Sequence, residues 1–276
     1  MQNTNEERIV LSNSAVETAE SCPTKFYWRY EREQVPVDDG EAAPLKFGIA
    51  IHSALEERGR GSSLDEVIRV FDKEFPKDLT NKHTQSAGRL MLKDYFNRYQ
   101  DDELVVIGNE KQFEIDLGSC MYRGRIDKLV QGESGISVMD HKTTSYLGST
   151  FYNMSKPNGQ FTGYIYAADC EYGEVGTLIV DGLLVPYPYK SKPLVTDFQR
   201  VVTSRTPKEL EMWAENIRGI VCNINKWRKS KLFPKYDKGY NCSSRWGECA
   251  YRNLCLMALN PQDIVPPSGL YKRKEE

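Results

Sequence analysis

Two apolar segments separated by a short turn, near the middle of the chain, constrain the fold of this sequence most. Residues 121–130 and 135–139 are rich in apolar side chains and flank a Gly-Glu-Ser-Gly turn. This pattern predicts a β-hairpin. Asp127 on the first strand would then lie near Asp140 on the second. Asp140 and Lys142 are two residues apart, so their side chains would point to the same face.

Two carboxylates and a lysine in this arrangement could hold a divalent cation and a phosphate beside it. Two carboxylates bind Mg²⁺ or Mn²⁺ through oxygen. A lysine beside them can orient or deprotonate a water molecule and neutralise developing negative charge. An ordinary hairpin whose end carries solvated charges explains the same residues, because Asp and Lys are common at strand ends. The hairpin alone does not decide between these interpretations.

Composition limits the class of protein. The chain has 276 residues, 39% of them hydrophobic and 28% charged, which is typical of a soluble globular protein near the upper size of a single core. No apolar run reaches the roughly 20 residues of a membrane-spanning helix. Residues 1–8 are polar and unlike a secretory signal, so we expect a cytoplasmic protein without a membrane partner. With a net charge of −2, binding to nucleic acid would need local basic patches.

Capping signals and hydrophobic periodicity predict the elements around the hairpin. Ser14 with Glu17, Ser63 with Glu66 and Thr206 with Glu209 each indicate the start of a helix. The predicted helices also include residues 45–57, 84–99 and 158–171, and the predicted strands are 104–107, 111–117, 121–130, 135–141, 177–185 and 198–203. This order predicts an α/β fold with a mixed sheet and a helical N-terminal part. We expect three regions: 1–100, 101–230 and 231–276.

Four of the seven cysteines suggest a metal site. Cys242, Cys249 and Cys255 are clustered near the end of the sequence, and three thiolates need a fourth ligand, for which Cys22 is the best candidate. The same C-terminal region, from residue 226 to 252, is basic with interleaved aromatic residues. That composition suits a surface that follows a nucleic-acid backbone and stacks bases, although a solvated charged face over buried aromatics explains it equally well.

Five short motifs in order resemble the PD-(D/E)XK nuclease superfamily. The resemblance is to its RecB-like branch, and within it to members with four cysteines around an iron–sulfur cluster, such as AddB-like subunits and the CRISPR adaptation exonucleases. The motifs are a Cys-Pro start over residues 22–30, Gly-x3-His at 48–52, Gly-x2-Asp at 124–127, Asp-x-Lys at 140–142 and Gln-x3-Tyr at 160–164.

The resemblance implies a restriction-endonuclease-like core and a role for each motif residue. His52, Asp127 and Asp140 would bind Mg²⁺ or Mn²⁺, with the main-chain carbonyl of His141 completing the set. Lys142 would position the attacking water. Two further roles follow. Gln160 and Tyr164 would contact DNA or support the site, and Glu110, at the start of a strand before the hairpin, is an additional candidate carboxylate.

The implied activity is metal-dependent hydrolysis of DNA, more as an exonuclease than as an endonuclease, on single strands or duplex ends. Cys22, Cys242, Cys249 and Cys255 would hold a [4Fe–4S] cluster; four cysteines without a nearby histidine favour it over Zn²⁺. The sequence contains no Walker A motif, so a helicase or recombination partner would supply any motor. The alternative is a non-catalytic nucleic-acid-binding protein, or a zinc-stabilised scaffold, that keeps the nuclease fold.

Overall fold

The computed structural model describes residues 8–37, 42–187, 193–236, 239–244 and 247–274. The α-helices are α1 Asn13–Ser21, α2 Pro23–Phe26, α3 Ala43–Gly59, α4 Leu64–Glu74, α5 Gln85–Arg98, α6 Ser149–Asn153, α7 Gly159–Tyr172, α8 Pro207–Ser230, α9 Gly239–Cys242 and α10 Arg252–Met257. A π-helical turn covers Tyr27–Glu31 and a 3₁₀ turn covers Pro261–Asp263. The strands are β1 Val10–Leu11, β2 Gln34–Pro36, β3 Val105–Asp116, β4 Met121–Gly132, β5 Gly135–Thr144, β6 Thr177–Leu184, β7 Phe198–Ser204, β8 Ser243–Ser244, β9 Gly247–Glu248 and β10 Tyr271–Arg273.

The chain forms two compact units that are interleaved along the sequence. The first unit contains residues 1–40, 114–123 and 212–276, and the second contains residues 41–113 and 124–211. Each of the three regions expected from the sequence, 1–100, 101–230 and 231–276, is one continuous segment, whereas each compact unit combines separate segments. That sequential division stays a prediction.

The second unit is built on a mixed sheet. β3 pairs with β4, β4 pairs with β5 antiparallel, β5 with β6 parallel and β6 with β7 antiparallel. In the β4–β5 hairpin Lys128 is opposite Met139, and Gly132 is opposite Gly135, which closes a two-residue loop. Gly135 has a φ of +104°, which glycine adopts at little cost.

Helices cover both faces of this sheet. On one face, aromatic residues of α3 and α4, including Phe47 and Phe71, form a buried cluster with α5 and with Leu183 of β6. On the other, Phe161 of α7 packs against Leu178 and neighbouring strand residues. Because side chains alternate along a strand, successive residues of a strand pack into the hydrophobic clusters on opposite faces of the sheet. The predicted α/β class, with a mixed sheet flanked by helices, is confirmed.

The first unit is smaller in sheet content. β1 pairs parallel with Met121 and Tyr122 at the start of β4, and β10 pairs antiparallel with β2. The long helix α8 begins after Thr206, whose main-chain N–H donates to Glu209 as the predicted capping box requires. No helix in the described part of the chain is long and apolar enough to cross a membrane.

Two details of the predicted elements are wrong. The first helix is capped by the Ser12 hydroxyl, which accepts from the main-chain N–H of Ala15, whereas Ser14 lies inside the helix. The predicted strands 104–107 and 111–117 are one strand, β3. Glu110, which lies between the two predicted segments, takes a φ of +47°, a left-handed conformation within the continuous strand. The predicted loop at 36–44 falls partly outside the described residues.

Candidate functional site

The β4–β5 hairpin brings Asp127 and Asp140 together in the second unit. The Asp127 carboxylate accepts a hydrogen bond of 2.9 Å at Oδ2 from the main-chain N–H of His141. This bond ties the end of the first strand to the residue beside Asp140. The predicted proximity of the two carboxylates is therefore confirmed, and it comes from the strand register.

Lys142 lies on the same face as Asp140, as the two-residue spacing predicts. Its Nζ is 2.9 Å from Asp140 Oδ2 and donates to Asp140 Oδ1 at 3.2 Å. The same ammonium donates to Oε1 of Gln160 at 3.3 Å, and the Gln160 amide donates to the hydroxyl oxygen of Tyr164 at 2.9 Å. Helix α7 supplies both residues one turn apart. The lysine is therefore held between a buried carboxylate and a helix while 28% of its side chain stays exposed.

Helix α3 presents His52 to these carboxylates. His52 Nδ1 lies 3.2 Å from Asp127 Oδ2, and the side chain is 29% exposed. Burial lowers the pKa of His52, but the hydrogen bond and charge of Asp127 and the charge of Asp140 raise it, and the net pKa is above its ordinary value. The lone helical histidine is therefore part of the carboxylate cluster and not an isolated core residue.

The two carboxylates have opposite pKa shifts. For Asp127, burial raises the pKa. The hydrogen bond and charge of His52 and the contacts with His141 together lower it by more, so the net pKa lies below the usual range. For Asp140, burial raises the pKa to about 6, the charge of Asp127 adds to that rise, and Lys142 opposes it. Asp127 is therefore ionised at neutral pH, while ionisation of Asp140 is resisted by its surroundings.

Glu110 lies close to this pair, although the structure places it inside β3 and not at the start of a strand. Its Oε2 forms an ion pair with Arg125 Nε at 2.5 Å. Burial and the charge of Asp127 raise its pKa, and Arg125 lowers it. The left-handed φ at this position is costly for a non-glycine residue, and Glu33, Glu174 and Lys231 share it elsewhere in the described chain.

A buried polar network lies on the opposite face of β5 and was not predicted from the sequence. His141 Nδ1 is 3.0 Å from Asp181 Oδ2, and the Tyr95 hydroxyl donates to the same oxygen at 2.5 Å. Arg200 contacts Asp181 Oδ1 at 3.4 Å and forms two hydrogen bonds with Asp102. The available signal was a carboxylate within the apolar strand Leu-Ile-Val-Asp-Gly-Leu, because a fully buried charge requires partners.

Burial keeps His141 neutral, although its partner Asp181 favours the charged form. Burial lowers the pKa of His141 to about 4, the charge of Lys128 lowers it further, and Asp181 opposes both. Since the His141 main chain links to Asp127 and its side chain to Asp181, the network holds the strand that carries the site. Asp181 is thus a positioning residue for β5.

The donor atoms of the site suit a hard divalent cation, although they do not yet surround one. In the described part of the chain, no group of three or more His, Cys, Asp or Glu side chains is arranged so that it could hold a metal ion. Asp140 Oδ2 is buried and accepts no hydrogen bond, and its one close partner is the Lys142 ammonium at 2.9 Å, which a bound cation would have to displace or share. Binding at both Asp127 and His52 would replace their present mutual contact.

The four predicted cysteine ligands share one cavity in the first unit. Cys22, Cys242, Cys249 and Cys255 all line a space of about 560 Å³. Burial raises the pKa of Cys255 to about 11, and the other three cysteines contribute to that rise, so each of them lies near Cys255. Four sulfur donors in one cavity match the ligand set of an iron–sulfur or zinc site, provided that they move closer around the metal.

The main chain around these cysteines is held by contacts within the same unit. The Cys249 N–H donates to the carbonyl of Cys242 at 2.9 Å, and the Asn241 side chain donates to the Ser21 carbonyl at 2.7 Å. Lys235 donates to the carbonyl of Cys255. Residues far apart in sequence are therefore joined beside Cys22 by protein hydrogen bonds.

Comparisons with known proteins identify a family. The family model described as the PD-(D/E)XK nuclease superfamily matches residues 10–256. No curated protein matches the chain. Among solved structures, the "Putative exonuclease" from Eubacterium rectale is 16% identical, with 82% of this chain and 88% of that chain covered and a TM-score of 0.49. SSO0001 is 9% identical, with 80% and 79% covered and a TM-score of 0.35.

These structural likenesses are weak, and the family match alone supports the assignment. It runs from β1 to α10 and includes every residue of the carboxylate cluster and all four cysteines of the cavity. Because the matching family model spans most of the chain, this protein belongs to the PD-(D/E)XK nuclease superfamily.

Proposed function

We propose that this protein is a Mg²⁺- or Mn²⁺-dependent DNA nuclease, acting more as an exonuclease than as an endonuclease. The observation that carries the proposal is the convergence of Asp127, Asp140 and Lys142 on one hairpin, with Lys142 bridging Asp140 and Gln160. A protein that had kept only the fold would have no need for a buried carboxylate beside a partly exposed lysine.

Asp127, Asp140 and His52, with the main-chain carbonyl of His141, would hold the cation. When bound, a divalent cation polarises the scissile phosphate and makes a coordinated water more acidic. Asp127 is ionised at neutral pH and is ready to serve as a ligand. Asp140 must lose its proton, which its burial resists and a nearby positive charge favours.

Lys142 would orient the attacking water and stabilise the charge that develops on the phosphate. Its position depends on Asp140 and Gln160, and Tyr164 accepts the hydrogen bond that orients the Gln160 amide. Gln160 and Tyr164 would also face the DNA. The side chains form a chain of hydrogen bonds from Tyr164 of the helix to Lys142, which would place the ammonium beside the reacting phosphate.

Metal-dependent cleavage of labelled linear DNA tests this proposal. Wild-type protein should cut with Mg²⁺ or Mn²⁺ and not with EDTA, and Asp127→Asn should lose activity while keeping its fold by circular dichroism. Equal cleavage by Asp127→Asn and wild type would overturn the assignment of the site.

Circular substrates separate the exonuclease from the endonuclease. An exonuclease needs a free end, so a covalently closed single-stranded circle should survive under conditions that degrade the linear strand. Cleavage of the circle at a comparable rate would instead indicate an endonuclease.

For the four cysteines we propose a structural [4Fe–4S] cluster, with Zn²⁺ as the alternative. The support is the shared cavity and the absence of histidine among its lining residues. Anaerobically purified protein should show broad visible absorption, which Cys22→Ser should lose and Cys170→Ser, at an exposed cysteine elsewhere, should keep. A colourless, zinc-containing preparation would reject iron–sulfur. A helicase or recombination partner and a cytoplasmic location stay expectations from the sequence.

A further inference from the structure

We infer that the first unit carries a second contact surface for nucleic acid, a basic groove that binds the phosphodiester backbone. The inference rests on the proposed function in one respect: the proposed nuclease activity is the reason for choosing nucleic acid, and not another polyanion, as the ligand. We define the basic groove by five lining cations that form no ion pair with any described residue: Arg29, Arg123, Lys226, Lys229 and Lys274.

The groove is a cavity of about 1460 Å³, lined by residues of the first unit alone. Seven lysines and arginines line it, against two carboxylates, Glu31 and Glu33. A protein with 39 acidic and 37 basic residues has no general excess of positive charge. The concentration of cations in one concave surface is therefore a local property of the folded chain.

The carboxylates of the groove are already occupied. Arg228 donates to both oxygens of Glu31, at 2.7 Å to Oε1 and 3.0 Å to Oε2. Arg273 donates to Glu33 at 2.9 Å. A third arginine, Arg8, pairs with Asp116 at 2.7 Å. These ion pairs compensate the negative charges of Glu31, Glu33 and Asp116.

The five cations of the basic groove have no carboxylate within ion-pair distance among the described residues. All five are exposed. They come from four separate places in the chain: the π-helical turn, β4, α8 and the end of β10. Folding therefore assembles the cluster, which distinguishes it from a solvated run of basic residues in one segment. Unpaired cations of this kind attract a partner with repeated negative charges.

A nucleic-acid strand fits this surface better than a membrane or an acidic peptide. The cations line a concavity, which a flat bilayer does not enter. Tyr30 also lines the groove, is only partly buried, and lies 5.8 Å from the Arg29 guanidinium. An aromatic ring beside unpaired cations is the arrangement that stacks a base while the backbone is neutralised.

Salt-dependent binding tests the basic groove without relying on cleavage. The full-length protein is titrated into labelled oligonucleotide, single-stranded or duplex, in EDTA, and fluorescence anisotropy is recorded at increasing salt. The variant is Lys226→Gln with Lys229→Gln. The matched control is Lys73→Gln with Lys77→Gln, which removes the same charge from exposed positions of the second unit.

If the groove binds single strands, the groove variant should weaken their binding roughly tenfold or more at low salt, and the slope of log K against log salt should become shallower by about 1.4. The control should bind like wild type. If duplex binding alone shows this loss, the occupant is a duplex backbone, and the inference still holds.

Equal losses in the groove variant and the control would overturn the inference. So would binding that depends on Lys226 and Lys229 with anionic lipid vesicles or polyglutamate but not with oligonucleotide. Failure of the proposed nuclease activity is a separate result, because it is measured as cleavage with Mg²⁺. The groove variant can lose binding in EDTA while wild type cleaves normally or does not cleave at all.

Discussion

At the scale of single residues, Asp140 couples the stability of the protein to its proposed chemistry. Its pKa is raised from 3.8 to about 6, mainly by burial, so the folded state prefers the protonated form. The stabilisation is complete below the ordinary pKa and is lost as the pH rises through about 6. At neutral pH, without metal, the folded protein therefore contains a charge that its surroundings disfavour.

We expect Asp140→Asn to stabilise the metal-free protein above the folded-state pKa of Asp140. A neutral amide of the same size avoids ionisation, with a gain on the order of 2 kcal/mol near pH 8 that shrinks toward pH 4. Thermal melts in EDTA across this range measure it. Adding Mg²⁺ should raise the melting temperature of wild type and leave that of the variant unchanged.

The opposite pattern would contradict the role of Asp140. If Asp140→Asn is less stable at alkaline pH than wild type, Asp140 is held mainly by its ion pair with Lys142. If Mg²⁺ stabilises the variant as much as wild type, Asp140 is not a ligand. Activity is not needed for either readout.

Asp181 belongs to the same scale. It is fully buried and accepts hydrogen bonds from Tyr95, His141 and Arg200. Asp181→Asn should lower the free energy of unfolding by about 3 kcal/mol, because it leaves charged and polar partners unmatched. Tyr95→Phe should cost less, about 1–2 kcal/mol, since it removes one hydrogen bond. Urea denaturation measures both changes. If Asp181→Asn leaves the free energy of unfolding unchanged, the network does not hold β5.

At the scale of elements, the glycine of the Gly-x2-Asp motif has a packing reason. A Cβ at Gly124 on β4 would lie 2.5 Å from the ring of Phe113 on β3. Such a contact forces the ring or the strand to move. At Gly108 on β3, the nearest contact of a Cβ would be 3.6 Å, which is ordinary van der Waals distance.

Gly124→Ala should therefore destabilise the protein by about 1–3 kcal/mol through overpacking against Phe113. Gly108→Ala is the matched control and should be close to neutral. Thermal or urea denaturation of the two variants gives the comparison. If the two variants lose the same amount of stability, the close approach of β3 and β4 does not explain the glycine at position 124.

The elements show what a sequence can and cannot predict. The hairpin was predictable because two apolar segments around a glycine-containing turn are local signals, and its register then placed Asp127 beside Asp140. The sequence predicted two strands where β3 is one, because Gly108 and Asn109 are residue types that are typical of turns. Asp181 was missed because its partners come from α5, β5 and β7, and periodicity does not show such long-range contacts.

At the scale of the whole molecule, the two units gather residues that are distant in sequence. Cys22 and the three C-terminal cysteines meet in the first unit, as their spacing suggested. The basic groove could not be predicted in the same way. Its cations come from four elements, and only the two on α8 fall within the basic region noted in the sequence.

Membership of the PD-(D/E)XK superfamily and the mixed α/β fold agree with the restriction-endonuclease-like core expected from the motifs. The active-site roles remain proposals that depend on one geometry: Lys142 held between Asp140 and Gln160. Everything proposed about the reaction follows from that lysine facing the substrate phosphate beside a bound cation.

Single-turnover cleavage of linear DNA by Lys142→Ala tests this claim most directly. With Mg²⁺ present, the rate should fall by about 10²–10³ relative to wild type, because the charge that stabilises the transition state is removed. Lys77→Ala, at an exposed position of the same unit, is the control and should cleave at the wild-type rate. A Lys142→Ala rate equal to that of wild type would contradict the account.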